Sequence, residues 1–354
     1  MTQVTTRTTV TLKQAADLIL ACPNNRFMLQ GEPGIGKSSI IKALQEKTGY
    51  AACYIDVPNM DLGDIAMPVI DHETKTTRYY PNARFQFHLG KPVIIMLDEF
   101  SKGADPVKNM LHPLLEVVNP RLGDVPVPPG SIIFMTGNLS TDGVGDGIKA
   151  HTKMRITMVE TSKPNSQQWL AWAVDHGIAP VVMAWVDRNP HALASYRDGD
   201  QQGNQYIFMP NTVQGAVVTP RTLELASNIV KMRESFDHAA LHAALVGTIG
   251  APAAAGLASF IQHQDSLPSW KDIIEKPNAT PVPKEQGALA VLVFGAIERV
   301  ERSSLPAFLE YISRVEEEWQ TIFCLGLSRS RTKQSFAFTT KAFSDWTIKN
   351  ADLL

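Results

Sequence analysis

The chain has 354 residues, with 33 Lys and Arg against 35 Asp and Glu, a net charge of −2. At 44% hydrophobic and 19% charged, its composition is that of a soluble globular protein with room for two or three domains. The balance excludes the overall basic field of a dedicated nucleic-acid binder, leaving only a local basic patch open.

The first predicted element is a helix over Thr11 to Leu20, with Thr11 as its cap and Gln14 at the capping-box position. It leads through Pro23-Asn-Asn25 into a short apolar strand, Phe27 to Gln30. There follows the stretch that carries most of the chemistry, Gly31-Glu-Pro-Gly-Ile-Gly-Lys-Ser38, which matches G-x-x-x-x-G-K-[ST] between that strand and a helical pattern over Ser38 to Leu44. Glycines let the backbone fold tightly, so that successive N–H groups form a concave anion site at a helix N-terminus. The expected phosphate cradle is Gly34, Ile35, Gly36, Lys37, Ser38 and Ser39. Lys37 places an ammonium on the β- and γ-phosphates, and the Ser38 hydroxyl faces Mg²⁺.

Ala51 to Asp56 reads as a second strand, followed by an irregular segment, Met60 to Pro68. Val69-Ile70 and Thr77 to Tyr80 are expected to pair as a hairpin, with Tyr79 and Tyr80 either packing or facing a partner. Pro92 to Glu99 holds five consecutive apolar residues, Val93 to Leu97, the pattern of a strand buried on both faces of a parallel sheet. Its end carries Asp98 and Glu99, where ligands bind in open α/β sheets. Asp98 is expected to hold the Mg²⁺ shell and Glu99 to orient and polarise the attacking water.

An amphipathic helix is predicted over Ala104 to Val118, then a short projecting turn or hairpin over 119–130. Another buried strand, Ser131 to Asn138, ends in a side chain able to hydrogen-bond the attacking water or the γ-phosphate. Thr141 to Gly147 reads as a flexible glycine loop, and Lys149 to Met154 leads to Arg155 and a last strand, Ile156 to Glu160.

From Pro164 the pattern is helical: Asn165 to Val174, Pro180 to Arg188, and a helix opened by Thr219-Pro-Arg221 after a polar loop at 201–218. The apolar run Ala239 to Gln262 reads as two packed helices broken near Gly250-Ala-Pro252, in preference to a membrane span. A proline-rich linker, Lys276 to Lys284, precedes helices at about 285–301, 304–324 and 340–350. His238 and His242 stand one helical turn apart but lack the acid of H-E-x-x-H, so they do not read as a metal site. The tryptophans, mostly on helical patterns, read as core. Three scattered cysteines, Cys22, Cys53 and Cys324, have no metal spacing and suggest a reducing compartment. With no hydrophobic signal core in Met1 to Arg7, the expected location is the cytoplasm.

Taken together, these motifs resemble an AAA+ ATPase, and within that group the MoxR-like ATPases, including phage-encoded members. Gly31 to Ser38 correspond to Walker A, Val93 to Glu99 to Walker B, Asn138 to sensor 1 and Thr219-Pro-Arg221 to sensor 2. They fall in the family's order over roughly residues 10–235. The subfamily resemblance rests on the Asp61-Leu-Gly-Asp segment, the hairpin after it, and the 119–130 insertion. The resemblance implies an α/β P-loop core with a five-stranded parallel sheet in order 5-1-4-3-2, a helical lid and a helical C-terminal region. The corresponding division is 1–162, 163–265 and 266–354, the last completing the lid or docking partners. It also implies a homo-oligomeric ring, a hexamer, with ATP between subunits.

Arg155 is then the arginine that faces the neighbouring subunit. MoxR proteins usually have Asp before it and Phe after it, where this chain has Met154 and Ile156. Arg221, at the start of a lid helix, is placed to reach the γ-phosphate. The function so implied is Mg²⁺-dependent conversion of ATP to ADP, driving the remodelling or assembly of a protein complex. A partner with a von Willebrand factor A-type domain fits the resemblance. The alternative is a nucleic-acid motor or loader on the same core; a nucleotide-gated scaffold with little hydrolysis is disfavoured by Glu99.

Overall fold

The structure, a computed structural model, describes residues 8–139 and 148–350. The chain divides into two units, Met1–Lys163 and Pro164–Leu354.

In the first unit, α1 (Leu12–Ala21) starts at Thr11, whose side chain accepts from the Gln14 N–H while Gln14 caps the Thr11 N–H in return. Strand β1 (Phe27–Gln30) runs into the glycine loop; a 3₁₀ turn, Lys37–Ser39, then opens α2 (Ile40–Thr48). Strand β2 (Ala51–Asp56) follows, then the antiparallel hairpin of β3 (Ala66–Asp71) and β4 (Thr76–Pro81). Strand β5 (Val93–Asp98) leads to α3 (Asp105–Leu111). A small antiparallel ribbon, β6 (Arg121–Leu122) and β7 (Val125–Pro126), precedes β8 (Ile132–Gly137), α4 (Ala150–Lys153) and β9 (Thr157–Glu160).

The main sheet is parallel, in spatial order β2-β5-β8-β1-β9. Counting only its strands, this is the expected order 5-1-4-3-2 read from the other edge. Strands β5 and β8 are buried throughout because both sheet faces are covered. One face packs Phe27, Leu29, Ile94, Met96 and Phe134 against α1 and α2 through Ala15, Ile19, Ile40 and Leu44. The other packs Met28, Ile95, Leu97, Ile133 and Met135 against Val107, Leu111 and Leu114. The strand C-termini therefore emerge from a stiff, doubly covered sheet, which is what holds the loops following β1, β5 and β8 in register.

Three sequence expectations are corrected in this region. The helix predicted over Ala104 to Val118 ends at Leu111, and His112–Leu115 forms a 3₁₀ turn. Pro113 explains the break: it has no N–H to give to the turn before it, and its ring crowds the carbonyl four residues earlier. Val117 and Val118, assigned to the helix, are 61% and 97% exposed. The segment expected to be irregular as far as Pro68 already pairs from Ala66, opposite Pro81. The helix expected from Ser38 becomes α-helical only at Ile40. The glycine loop read at 141–147 lies outside the described residues.

The second unit is helical: α5 (Ser166–Ala173), α6 (Pro180–Arg188), α7 (Pro220–Lys231), α8 (His238–Ile249), α9 (Ala251–Asp265), α10 (Trp270–Glu275), α11 (Gln286–Arg299), α12 (Leu305–Ile312), α13 (Glu317–Arg329), α14 (Gln334–Phe338) and α15 (Lys341–Lys349). The helix expected at 304–324 is two, α12 and α13, and the sequence reading had not anticipated α10 or α14. One core runs from Trp169, Val182 and Trp185 through Leu257 and Phe294 to Phe308, Trp319 and Phe343. Trp172 departs from the core expectation: it is 36% exposed, and its ring stacks on His176 at 4.2 Å. No helix among the described residues is long and apolar enough to cross a membrane.

The break between α8 and α9 lies at Gly250, as the sequence suggests, with φ 82° and ψ 156°. That region is almost closed to other residues, and a Cβ there would be driven into the Ala216 carbonyl oxygen. Gly250→Ala should therefore destabilise the protein by about 1–3 kcal/mol, the usual cost of such backbone strain. Equilibrium urea unfolding measures it, and an unchanged midpoint would mean the chain relaxes into another turn.

Candidate active site

The loop after β1 takes its shape from two left-handed glycines, Gly34 at φ 73° and Gly36 at φ 101°. Between them Ile35 is buried at 1% exposure and anchors the loop from below. The Ser39 hydroxyl donates to the Gly36 carbonyl at 2.7 Å and closes the turn into α2. Lys37, only 8% exposed, curls back over the loop. Its ammonium donates to the carbonyls of Gly31 at 2.7 Å and Glu32 at 2.8 Å, and to Asn138 Oδ1 at 3.4 Å. The loop thus carries a buried positive charge beside backbone N–H groups, a setting that suits a polyphosphate.

At the end of β5, Asp98 is 8% exposed and accepts on both carboxylate oxygens. Ser38 Oγ donates to Oδ2 at 3.3 Å and the Tyr54 hydroxyl to the same oxygen at 2.6 Å, while Thr136 Oγ1 donates to Oδ1. A serine hydroxyl and a carboxylate side by side are hard oxygen donors, a set that fits Mg²⁺ keeping several waters. Glu99 follows in a left-handed conformation, φ 49°. Its N–H donates to Thr136 Oγ1 at 3.2 Å, and its Oε2 pairs with Lys102 Nζ at 2.7 Å. Asn138 leaves β8 beside Lys37.

Residues 27–136, the span from β1 into β8, match the family model described as ATPase family associated with various cellular activities (AAA). The chain carries an AAA ATPase domain. Nucleotide binding and ATP hydrolysis are the activity class of that family. No curated protein matches the sequence. Among solved structures, the chain is similar to one from Cytophaga hutchinsonii, provisionally described as an ATPase, at 15% identity and a TM-score of 0.36 over 48% of this chain. The match spans 52% of that protein, about half its length. It is also similar to NtrX from Brucella abortus in complex with ADP, at 14% identity and a TM-score of 0.41, over 97% of this chain and 67% of that one.

Within the AAA domain the structure brings together Lys37, Ser38, Asp98, Glu99 and Asn138, which the sequence scatters over 102 positions from Lys37 to Asn138. Arg155 is not bonded to any of them. Its Nε donates to Glu116 Oε1 at 3.1 Å and its Nη1 to the His151 carbonyl at 2.9 Å. Arg221 belongs to the second unit, where it is exposed in the first turn of α7 behind the Thr219 cap.

Sequence reasoning missed Tyr54, Thr136, Lys102 and Glu116. Thr136 had a signal, a hydroxyl directly after the apolar run Ile132 to Met135. Lys102 had another, its spacing of three from Glu99. Tyr54 and Glu116 had none, since only strand register and chain reversal bring them to their partners.

Glu116 is itself held. Arg26, 4% exposed, donates its Nη2 to the Glu116 carbonyl at 3.3 Å and its Nε to the Leu114 carbonyl at 3.0 Å. Beside this group, the His112 and His151 rings lie 5.2 Å apart, and His112 Nε2 is buried without a hydrogen-bond partner. Burial, then the charges of Arg155 and His151, lower the His112 pKa below 6.5, against a smaller opposing effect of Glu116. As pH falls below about 6.5, the unfolded chain takes up this proton before the folded one does. The stability His112 contributes is thus full above that pH and is lost as pH falls through its folded-state pKa. Urea unfolding should show His112→Gln losing less stability than wild type between pH 7 and pH 5. Equal losses would mean the imidazole charges freely.

Proposed function

We propose that the chain is a Mg²⁺-dependent ring ATPase of MoxR-like type that converts ATP to ADP and phosphate and uses the cycle to remodel or assemble a protein complex. The observation that carries this reading is the meeting of Lys37, Ser38, Asp98, Glu99 and Asn138 at the C-terminal ends of β1, β5 and β8. In an open parallel sheet that edge is the ligand crevice.

The backbone of Gly34 to Ser39 and the Lys37 ammonium receive the phosphates. Ser38 and Asp98 would hold Mg²⁺, which would supply positive charge against the phosphates. Glu99 accepts the proton of the attacking water, and Asn138 orients that water or the γ-phosphate. Lys102 occupies one oxygen of Glu99, leaving the other for the water. No arginine in these motifs meets the charge on the transferring phosphoryl group. Arg155 supplies it to the neighbouring subunit, and Arg221, in the first turn of α7, is the sensor 2 arginine of the family resemblance.

The MoxR-like assignment draws support from the two inserted hairpins, which are joined. The Tyr79 N–H donates to Asp124 Oδ2 at 2.7 Å and the Asp124 N–H to the Tyr79 carbonyl at 2.9 Å. The β3–β4 hairpin leaves Met67, Val69, Ile70, Tyr79 and Tyr80 each at least 45% exposed, a surface suited to a protein partner such as a von Willebrand factor A-type domain. ATPase assays with DNA, RNA or candidate proteins added test the substrate class.

Glu99→Gln should keep Mg²⁺ and ATP bound while turnover falls by about 10²–10⁴-fold, because the near-isosteric amide cannot take the water's proton. Turnover at the wild-type rate would remove Glu99 from the mechanism.

Arginine supplied in trans is worth roughly 10³–10⁵ in rate, so specific activity should rise with protein concentration and Arg155→Ala should flatten that rise. Lys37→Ala and Arg155→Ala subunits are each expected to be inactive alone. Mixed, they form some interfaces with an intact cradle facing an intact arginine, and activity should partly return. No recovery in rings shown to have mixed would place Arg155 outside the site.

A further inference from the structure

Two carboxylates end β5, and one hydroxyl touches the residues that carry both. Thr136 is 0% exposed on β8, one step beyond the paired Leu97 and Met135 and opposite Leu29 on β1. Its Oγ1 accepts from the Glu99 N–H at 3.2 Å and bonds Asp98 Oδ1. A backbone N–H can only donate, so the hydroxyl accepts from Glu99 while giving its one proton to Asp98 Oδ1. The other Asp98 oxygen is occupied by Ser38 and Tyr54. The carboxylate is therefore fixed on both oxygens.

The second bond restrains a conformation that needs restraint. Glu99 is a non-glycine residue at φ 49°, where side chains are uncommon and persist only if their surroundings hold them. Packing alone does not account for the hydroxyl. Neighbouring positions of β8 are Ile132, Ile133, Phe134 and Met135, and valine has the same shape without a polar group to desolvate.

We propose that Thr136 is a positioning residue for ATP hydrolysis. Its single hydroxyl couples the carboxylate that faces Mg²⁺ to the turn that presents the water-activating glutamate, so the two act as one rigid unit. This rests on the ATPase reading above.

The test compares Thr136→Val, which keeps the shape, with Thr136→Ser, which keeps the hydroxyl, in the full-length protein. Affinity for a fluorescent ATP analogue is measured in EDTA and across a Mg²⁺ titration, and kcat and KM at saturating Mg²⁺. Thr136→Val should match wild type in EDTA, which also certifies its fold. It should lose about 10–100-fold in apparent Mg²⁺ affinity and in kcat, the usual effect of removing an outer-shell partner, with KM little changed. Thr136→Ser should stay close to wild type in all four quantities. If Thr136→Val fails the EDTA control, Thr136→Cys, a weak donor and acceptor in the same place, carries the comparison.

Wild-type Mg²⁺ dependence and kcat in the valine variant would overturn the inference, as would a serine variant as impaired as the valine one. The underlying reading fails separately. In that case wild type itself does not hydrolyse ATP, or Lys37→Ala does so at the same rate.

Discussion

Much of the first unit depends on placing a carboxylate, Asp98, at the buried end of β5, an interior strand of the sheet. A charge taken out of water is costly unless each oxygen is hydrogen-bonded. Here the donors come from three directions: Ser38 from the glycine loop, Tyr54 from β2 and Thr136 from β8. Each must arrive within hydrogen-bond reach at once. That requirement ties the register of β2, β5 and β8 to the shape of the loop. The apolar face around Ile94, Met96 and Phe134 supplies the rigidity, since a packed interior does not deform smoothly.

The same sheet separates two kinds of charge. The glycine-loop side is internally paired, with Lys37 returned onto its own loop. The Arg155 side is different. There an exposed arginine is braced by Glu116, which in turn depends on buried Arg26. Burial lowers the Arg26 pKa from its ordinary value, but an arginine stays charged at neutral pH, so its guanidinium must be matched by carbonyls. Those of Asn24, Leu114 and Glu116 do so, fixing the 3₁₀ turn that ends at Leu115. The early end of α3 at Leu111, ahead of Pro113, is thus part of how Arg155 is presented.

The joined hairpins add a surface away from the Lys37–Asp98 cluster's hydrogen bonds. Asp124 seals the outer edge of β4 by taking both backbone groups of Tyr79, while the strands leave apolar side chains in solvent. A sealed edge discourages strand-to-strand aggregation, and the side chains remain available for contact.

Some of this was legible from residue order alone. Local chemistry determined the Thr11 and Thr219 caps, the glycine loop, the buried runs of β5 and β8, and the break at Gly250, because each depends on neighbours a few positions apart. The sheet order came from the family resemblance those motifs support, not from the apolar pattern, which is blind to strand neighbours. Only the tertiary structure decided that Tyr54 and Thr136 converge on Asp98, that Lys102 holds Glu99, and that Arg155 pairs with Glu116. Those contacts depend on strand register and on where a 3₁₀ turn lets the chain leave a helix. A one-residue slip in register would send each side chain to the opposite face without altering the apolar pattern of a doubly buried strand.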